Sequence, residues 1–155
     1  MVHSVDLLLQ FKNASLFQGL NLGEIALLSS IAEEKVFEGG EMLVRQFDDN
    51  ADVMVILSGA ARITTFSGEL ISEAGPGSTI GEIALLDAKP RSATATASGS
   101  TKVAILPKRQ LEDLMTREPN IGKTLLRNVG RILCSRLRAT NIQLDMLMNG
   151  RTVDI

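Results

Sequence analysis

The chain has no tryptophan and no tyrosine, so its five phenylalanines are its whole aromatic content. That scarcity argues against a platform on which the bases of single-stranded nucleic acid would stack. Basic excess is missing too: 16 Lys and Arg stand against 18 Asp and Glu, for a net charge of −2. A protein that grips a nucleic-acid backbone needs the opposite balance, so direct nucleic-acid binding is not expected. A single cysteine, Cys134, rules out an internal disulfide and offers no metal-ligand cluster. The single histidine, His3, lies in a terminus expected to fray and is given no role. Without a nucleophile–base pair or clustered metal ligands, neither an enzyme nor a bound metal is expected. No apolar run approaches the roughly 18 residues of a membrane span. Val5–Leu9 is short and carries Asp6, and no basic segment precedes it, so no signal peptide is expected. The expectation is one cytoplasmic, water-soluble domain, long enough for a core that buries roughly two-thirds of the unfolded surface.

What is present falls into three textures. Residues 1–34 read as helices, with apolar clusters at Leu7, Leu8, Leu9 and Phe11 and at Leu16, Phe17 and Leu20. Asn21 then stands as an N-cap with Glu24 three residues on, the capping-box spacing, ahead of Leu22, Ile25, Ala26, Leu28 and Ile31. Residues 35–107 read as strands and turns. The predicted strands are Lys35–Phe37, Glu41–Arg45, Asp52–Leu57, Ala60–Phe66, Leu70–Ala74, Ser92–Ala97 and Lys102–Leu106, divided by Gly39-Gly40, Asp48-Asp49-Asn50, Ser58-Gly59, Ser67-Gly68, Gly75-Pro76-Gly77 and Ser98-Gly99-Ser100. About eight short strands at this spacing, with few helices between them, predict an antiparallel sandwich or jelly roll. Residues 108–148 return to helix. Pro107 precedes Lys108–Arg117, and Pro119 opens a segment to about Met148 that would reach roughly 40 Å.

That last segment carries two apolar stripes. One is Leu126, Val129, Leu133, Leu137, Leu144 and Leu147, and the other is Ile121, Leu125 and Ile132. One stripe can cover a barrel, and the second calls for another partner, so a homodimer through this helix is expected. Lys123, Arg127, Arg131 and Arg138 read as a solvated edge, and Cys134 as an inert small side chain.

The stretch with the most chemistry is GEIALLDAKPRSATA, residues 81–95. Gly81 permits close backbone approach, and the amides of Ile83 and Ala84 are expected to stand open at a helix N-terminus, where an anion is favoured. Arg91 supplies a guanidinium fork matched to phosphate oxygens. Glu82, an acceptor, suits a sugar hydroxyl. Cation, anion and amides together read a sugar phosphate; the alternative is a surface ion pair between Glu82 and Arg91.

Gly81, Glu82, Ala84, Leu85, Arg91, Ser92 and Ala93 fall on a pattern that resembles the phosphate-binding cassette of cyclic nucleotide-binding domains. VMVILSGAARI, with Gly59 at its turn, is similar to the strand–glycine–strand signature of that family, and the helices before and after the strands have counterparts in it. The resemblance implies a helix-flanked antiparallel β jelly roll, mainly β with flanking α, occupying residues 1–155 as a single domain. It implies that Arg91 and the amides of Ile83, Ala84 and Ser92 hold a cyclic phosphate and that Glu82 accepts from the ribose. Ile71, Ser72 and Ile80 are expected on the base side. The ligand implied is cAMP, with cGMP possible; Ser92 leans toward cAMP, because members that prefer cGMP often carry Thr there.

The spacing onward from Arg91 is similar to that of the bacterial catabolite activator group, whose dimer helix presents a Thr and a Ser to the adenine. The matching positions here are Arg136 and Leu137. Arg136 therefore has either a cation–π contact over the base or a plain surface position. That group also carries a helix-turn-helix domain, for which the residues after Asn149 are too few. The resemblance thus implies a sensor module that signals through its C-terminal helix to an unknown downstream partner. Two rival readings stay open: a dimeric interaction module with an unused pocket, and the sensor half of a DNA-binding regulator.

Overall fold

The computed structural model describes residues 5–47, 49–87, 89 and 91–150. His3, Asp48, Pro90 and the segment from Arg151 to Ile155, all given a place in the sequence reading, lie outside the described residues. Helix α1 (Val5–Lys12) buries Leu7 and Phe11, four residues apart on one face. A 3-10 turn at Ser15–Phe17 follows, and its Phe17 ring meets that of Phe11 at 4.9 Å between centroids. Helix α2 (Leu22–Ile31) starts at the predicted capping box: Glu24 N–H donates to Asn21 Oδ1 at 2.8 Å, and Asn21 N–H donates to Glu24 Oε1 at 3.0 Å. The reciprocal pair satisfies two of the orphan donors of the first turn.

Eight strands follow: β1 (Glu33–Phe37), β2 (Met42–Val44), β3 (Val53–Ser58), β4 (Ala61–Thr64), β5 (Leu70–Ala74), β6 (Thr79–Ile80), β7 (Thr94–Ala97) and β8 (Thr101–Leu106). They form two four-stranded antiparallel sheets in the orders β1-β8-β3-β6 and β2-β7-β4-β5. This is the jelly roll expected, flanked by helices. Thr79–Ile80 is the strand the sequence reading lacked; two residues are too few to show a period of two.

Strand β3 explains how the layers close. Its run of apolar residues is buried on both faces, as a central strand between two layers must be. Val53, Val55 and Leu57 join the core beneath the helices, with Ala104 and Leu106 of β8. Met54 and Ile56 point the other way, into a second core between the sheets, with Val44, Ile80, Ala95 and Val103. At the β3–β4 turn Gly59 has φ of 81°, and a Cβ there would come within 2.8 Å of Thr101 Cα, so only glycine fits. Beside it, buried Thr101 donates from Oγ1 to Ala60 C=O at 2.9 Å.

Helix α3 (Lys108–Arg117) is followed directly by α4 (Pro119–Met148), with proline in its first turn. Ile121, Leu125 and Val129 are buried completely in the helix-covered core, and Leu133 packs partly against it. The expected stripes are corrected here: Val129 belongs to the core-facing set, four residues beyond Leu125. Leu126, Leu137, Leu144 and Leu147 remain exposed, the last at 80%. Buried Asn128 fastens α4 to the 3-10 turn, donating from Nδ2 to the carbonyls of Leu16 at 2.7 Å and Gln18 at 2.8 Å. Among the described residues no helix is long and apolar enough to cross a membrane.

Candidate functional site

The candidate site is assembled where β6 runs into the turn that leads to β7. Ile80, the last residue of β6, is buried between the sheets. Gly81 follows with φ of 84°, a left-handed backbone that reverses the chain into a 3-10 turn over Glu82–Leu85. Glycine is needed here for a second reason. The Arg91 guanidinium packs against its Cα, and a Cβ would overlap it, with Cζ only 2.8 Å away. A side chain at position 81 would displace the arginine.

Arg91 is 8% exposed. Its Nη2 donates to the Asp52 carbonyl at 2.5 Å and lies 3.4 Å from Asn50 Oδ1, while its own carbonyl accepts from Phe47 N–H at 2.8 Å. The loop between β2 and β3 therefore holds the arginine at both ends. Gln46 N–H of the same loop donates to Thr94 Oγ1 at the start of β7 (3.0 Å). The Gln46 Oε1 is buried and has no hydrogen-bond partner among the described residues.

Glu82 is 1% exposed, a carboxylate almost wholly removed from water. Burying a charge is costly unless it is paired and hydrogen-bonded. Its partner is Arg136 of α4, whose Nη1 lies 2.5 Å from Glu82 Oε1. The contact satisfies an ion pair but not the alignment of a hydrogen bond, so that buried oxygen remains poorly served. The sequence reading left Arg136 between a contact over the base and a plain surface position; the structure shows that what it meets is Glu82, and that Glu82 and Arg91 are not paired with each other.

The remaining predicted residues divide. Ile83 is 38% exposed, Ala84 and Ala93 are partly buried, and Ser92 is exposed on the way into β7. The expectation that the amides of both Ile83 and Ala84 stand open is corrected for Ala84. Its N–H donates to the Gly81 carbonyl at 3.1 Å, because the turn is 3-10 and bonds three residues back. Ile71 and Ser72 are exposed on edge strand β5, Ser72 in register with Ile63. The residues that sequence reasoning missed are Phe47, Asn50 and Asp52. Only the turn-forming Asp-Asn run marked that loop, and a backbone carbonyl leaves no trace in a sequence.

Residues 34–118 match the model of the family described as "Cyclic nucleotide-binding domain". The chain is similar to the Cyclic AMP receptor protein of Thermus thermophilus, with 30% identity over 140 residues, 88% of this chain and 63% of that one. The crystal structure of Thermus thermophilus Catabolite Activator Protein superposes with a TM-score of 0.73 at 29% identity, covering 87% of this chain and 63% of the other. A cyclic nucleotide-binding domain from Methylobacillus flagellatus gives a TM-score of 0.77 at 25% identity, covering 89% and 80%. The chain thus spans under two-thirds of the length of the receptor it matches.

Proposed function

Since the chain belongs to the cyclic nucleotide-binding domain family, we propose that it binds cAMP at the Gly81–Ala95 cassette and transmits occupancy through α4. Arg91 supplies donors to the cyclic phosphate, aided by the Ile83 and Ser92 amides. Glu82 accepts from the ribose hydroxyl, and Ile80 borders the base. Ile71 and Ser72, exposed on edge strand β5, are assigned to the base side as well.

One observation carries this reading: a carboxylate buried to 1% exposure whose one ionic partner among the described residues meets it without hydrogen-bond alignment. A ribose hydroxyl brings the aligned donor that this oxygen lacks, and a buried acceptor left unsatisfied costs free energy. Arg136 holds the same carboxylate from α4, so ligand and helix meet on one group. The ligand shifts the helix only as far as it favours one of the two arrangements.

In this reading the chain is a sensor domain with no catalysis of its own, working in the cytoplasm on cAMP, with cGMP bound more weakly. The exposed face of Leu126, Leu137, Leu144 and Leu147 supports a homodimer through α4, since an apolar patch of that kind marks an interface. Displacement of a fluorescent cAMP analogue by unlabelled nucleotides tests the proposal. cAMP should compete best, cGMP less well and 5′-AMP poorly, its open phosphate carrying a different shape and charge. Equal competition by all three would refute recognition of a cyclic phosphate.

A further inference from the structure

Phe47 is the one non-glycine residue with a positive φ among the described residues, at 71°. A left-handed backbone crowds Cβ against the neighbouring carbonyl, so it suits glycine and is unfavourable for phenylalanine. Its ring is 65% exposed and gains little by burial. Phe66, between β4 and β5, is 79% exposed. The two rings nevertheless meet, with centroids 5.9 Å apart and planes tilted by 49°. Folding stability alone accounts for neither residue, and strain of this kind concentrates at functional sites.

The loop that carries Phe47 is the one that holds Arg91. Phe47 N–H bonds the Arg91 carbonyl at 2.8 Å, and the Asp52 carbonyl accepts from the guanidinium at 2.5 Å. We propose that Phe47 is a positioning residue: its contact with Phe66 clasps the β2–β3 loop to the β4–β5 hairpin and so holds Arg91 in the geometry that receives a phosphate. The left-handed backbone lets one residue send its N–H to Arg91 and its ring to Phe66. This inference rests on the cyclic nucleotide reading of the site.

Two variants of the full chain test it. Phe66→Ala removes one ring and leaves the Phe47 backbone alone. Phe47→Gly removes the other ring while keeping the turn and its N–H, with the strain relieved. An aromatic pair is worth roughly two- to tenfold in an equilibrium, so each variant should weaken cAMP binding by about three- to tenfold in calorimetry. The double variant should be no weaker than the worse single one, because the pair acts as a unit. Phe66→Tyr, which keeps the ring, should bind within about twofold of the parent. Phe47→Gly should lose affinity without losing thermal stability, a split that a merely structural role would not produce. Amide exchange at Phe47 in ligand-free protein should quicken in Phe66→Ala, a readout that needs no nucleotide. A parent that binds no cyclic nucleotide would sink the functional reading and leave the clasp to be judged by that exchange. Parent-like affinity in both single variants, additive losses in the double, or unchanged exchange at Phe47 would overturn the clasp.

Discussion

Arg136 reaches from the long C-terminal helix to Glu82, setting an exposed guanidinium against a carboxylate that is otherwise sealed from water. The two residues are far apart in sequence and belong to different layers, the helix and the turn after β6. In the proposed reading, a ligand that draws on Glu82 acts on the helix through this pair. An exposed ion pair would carry little weight, but burial of one partner changes the balance.

Arg136→Ala should accordingly do two things in opposite directions. Ligand-free protein should lose about 1–2 kcal/mol, discounted for the arginine's exposure, because a buried carboxylate is left without its cation. Affinity for cAMP should rise a few-fold, since the ribose hydroxyl no longer shares the carboxylate. Thermal melts and titrations of the same preparation check both. A variant that is less stable and also binds more weakly would mean that Arg136 contacts the ligand itself.

Glu82→Gln should separate the ribose contact from the phosphate contact. Parent protein should bind 2′-deoxy-cAMP about tenfold more weakly than cAMP, because a hydrogen bond to a charged group is lost. In Glu82→Gln that preference should shrink to within about threefold. Competition assays with the two nucleotides on both proteins give the four affinities needed. An undiminished preference in the variant would place the ribose elsewhere.

Gly81→Ala should be among the most damaging single-methyl changes. The added Cβ meets both a left-handed backbone and the Arg91 guanidinium. Strain at such a position costs roughly 1–3 kcal/mol, and the displaced arginine should weaken nucleotide binding more than tenfold. Gly68→Ala is the control: φ there is 90° and nothing lies within 4 Å, so it should show the backbone cost without the loss of binding.

The exposed face of α4 predicts a dimer in solution at tens of micromolar. Leu137 and Leu144 are 61% and 49% exposed, so replacing both with Glu should not disturb the core of one copy. It would bring four carboxylates together across a paired seam, and light scattering should then report a monomer. Leu133 is a poorer choice, since it packs against the helix-covered core. A monomeric parent would remove the dimer from the account.

What the sequence made legible is what is local. The Asn21–Glu24 capping box, the start of α4 at Pro119 and strand Leu70–Ala74 each depend on neighbours within a few residues, and each stands where expected. The cassette was readable because Gly81 to Ala93 is one contiguous motif. What holds Arg91 was not, because Asp52 acts through its carbonyl from 39 residues away and Phe47 through its amide. Val129 was misplaced for a related reason: on a helix with two apolar stripes, only packing decides which stripe a residue at the boundary joins. Neither alternative read for Arg136 named Glu82, because a partner 54 residues away leaves no local pattern.

The central claim is that Arg91 is the phosphate ligand of a cyclic nucleotide site, and calorimetry of cAMP against the parent chain and Arg91→Ala tests it most directly. Two charge-assisted hydrogen bonds at roughly 1.5–3 kcal/mol each predict at least a hundredfold loss of affinity in the variant, with Arg91→Lys recovering only part. The parent, shown to be folded and free of carried-over nucleotide, should give a clear heat of binding. No heat from that parent, or an Arg91→Ala variant that binds within a few-fold of it, would contradict the account.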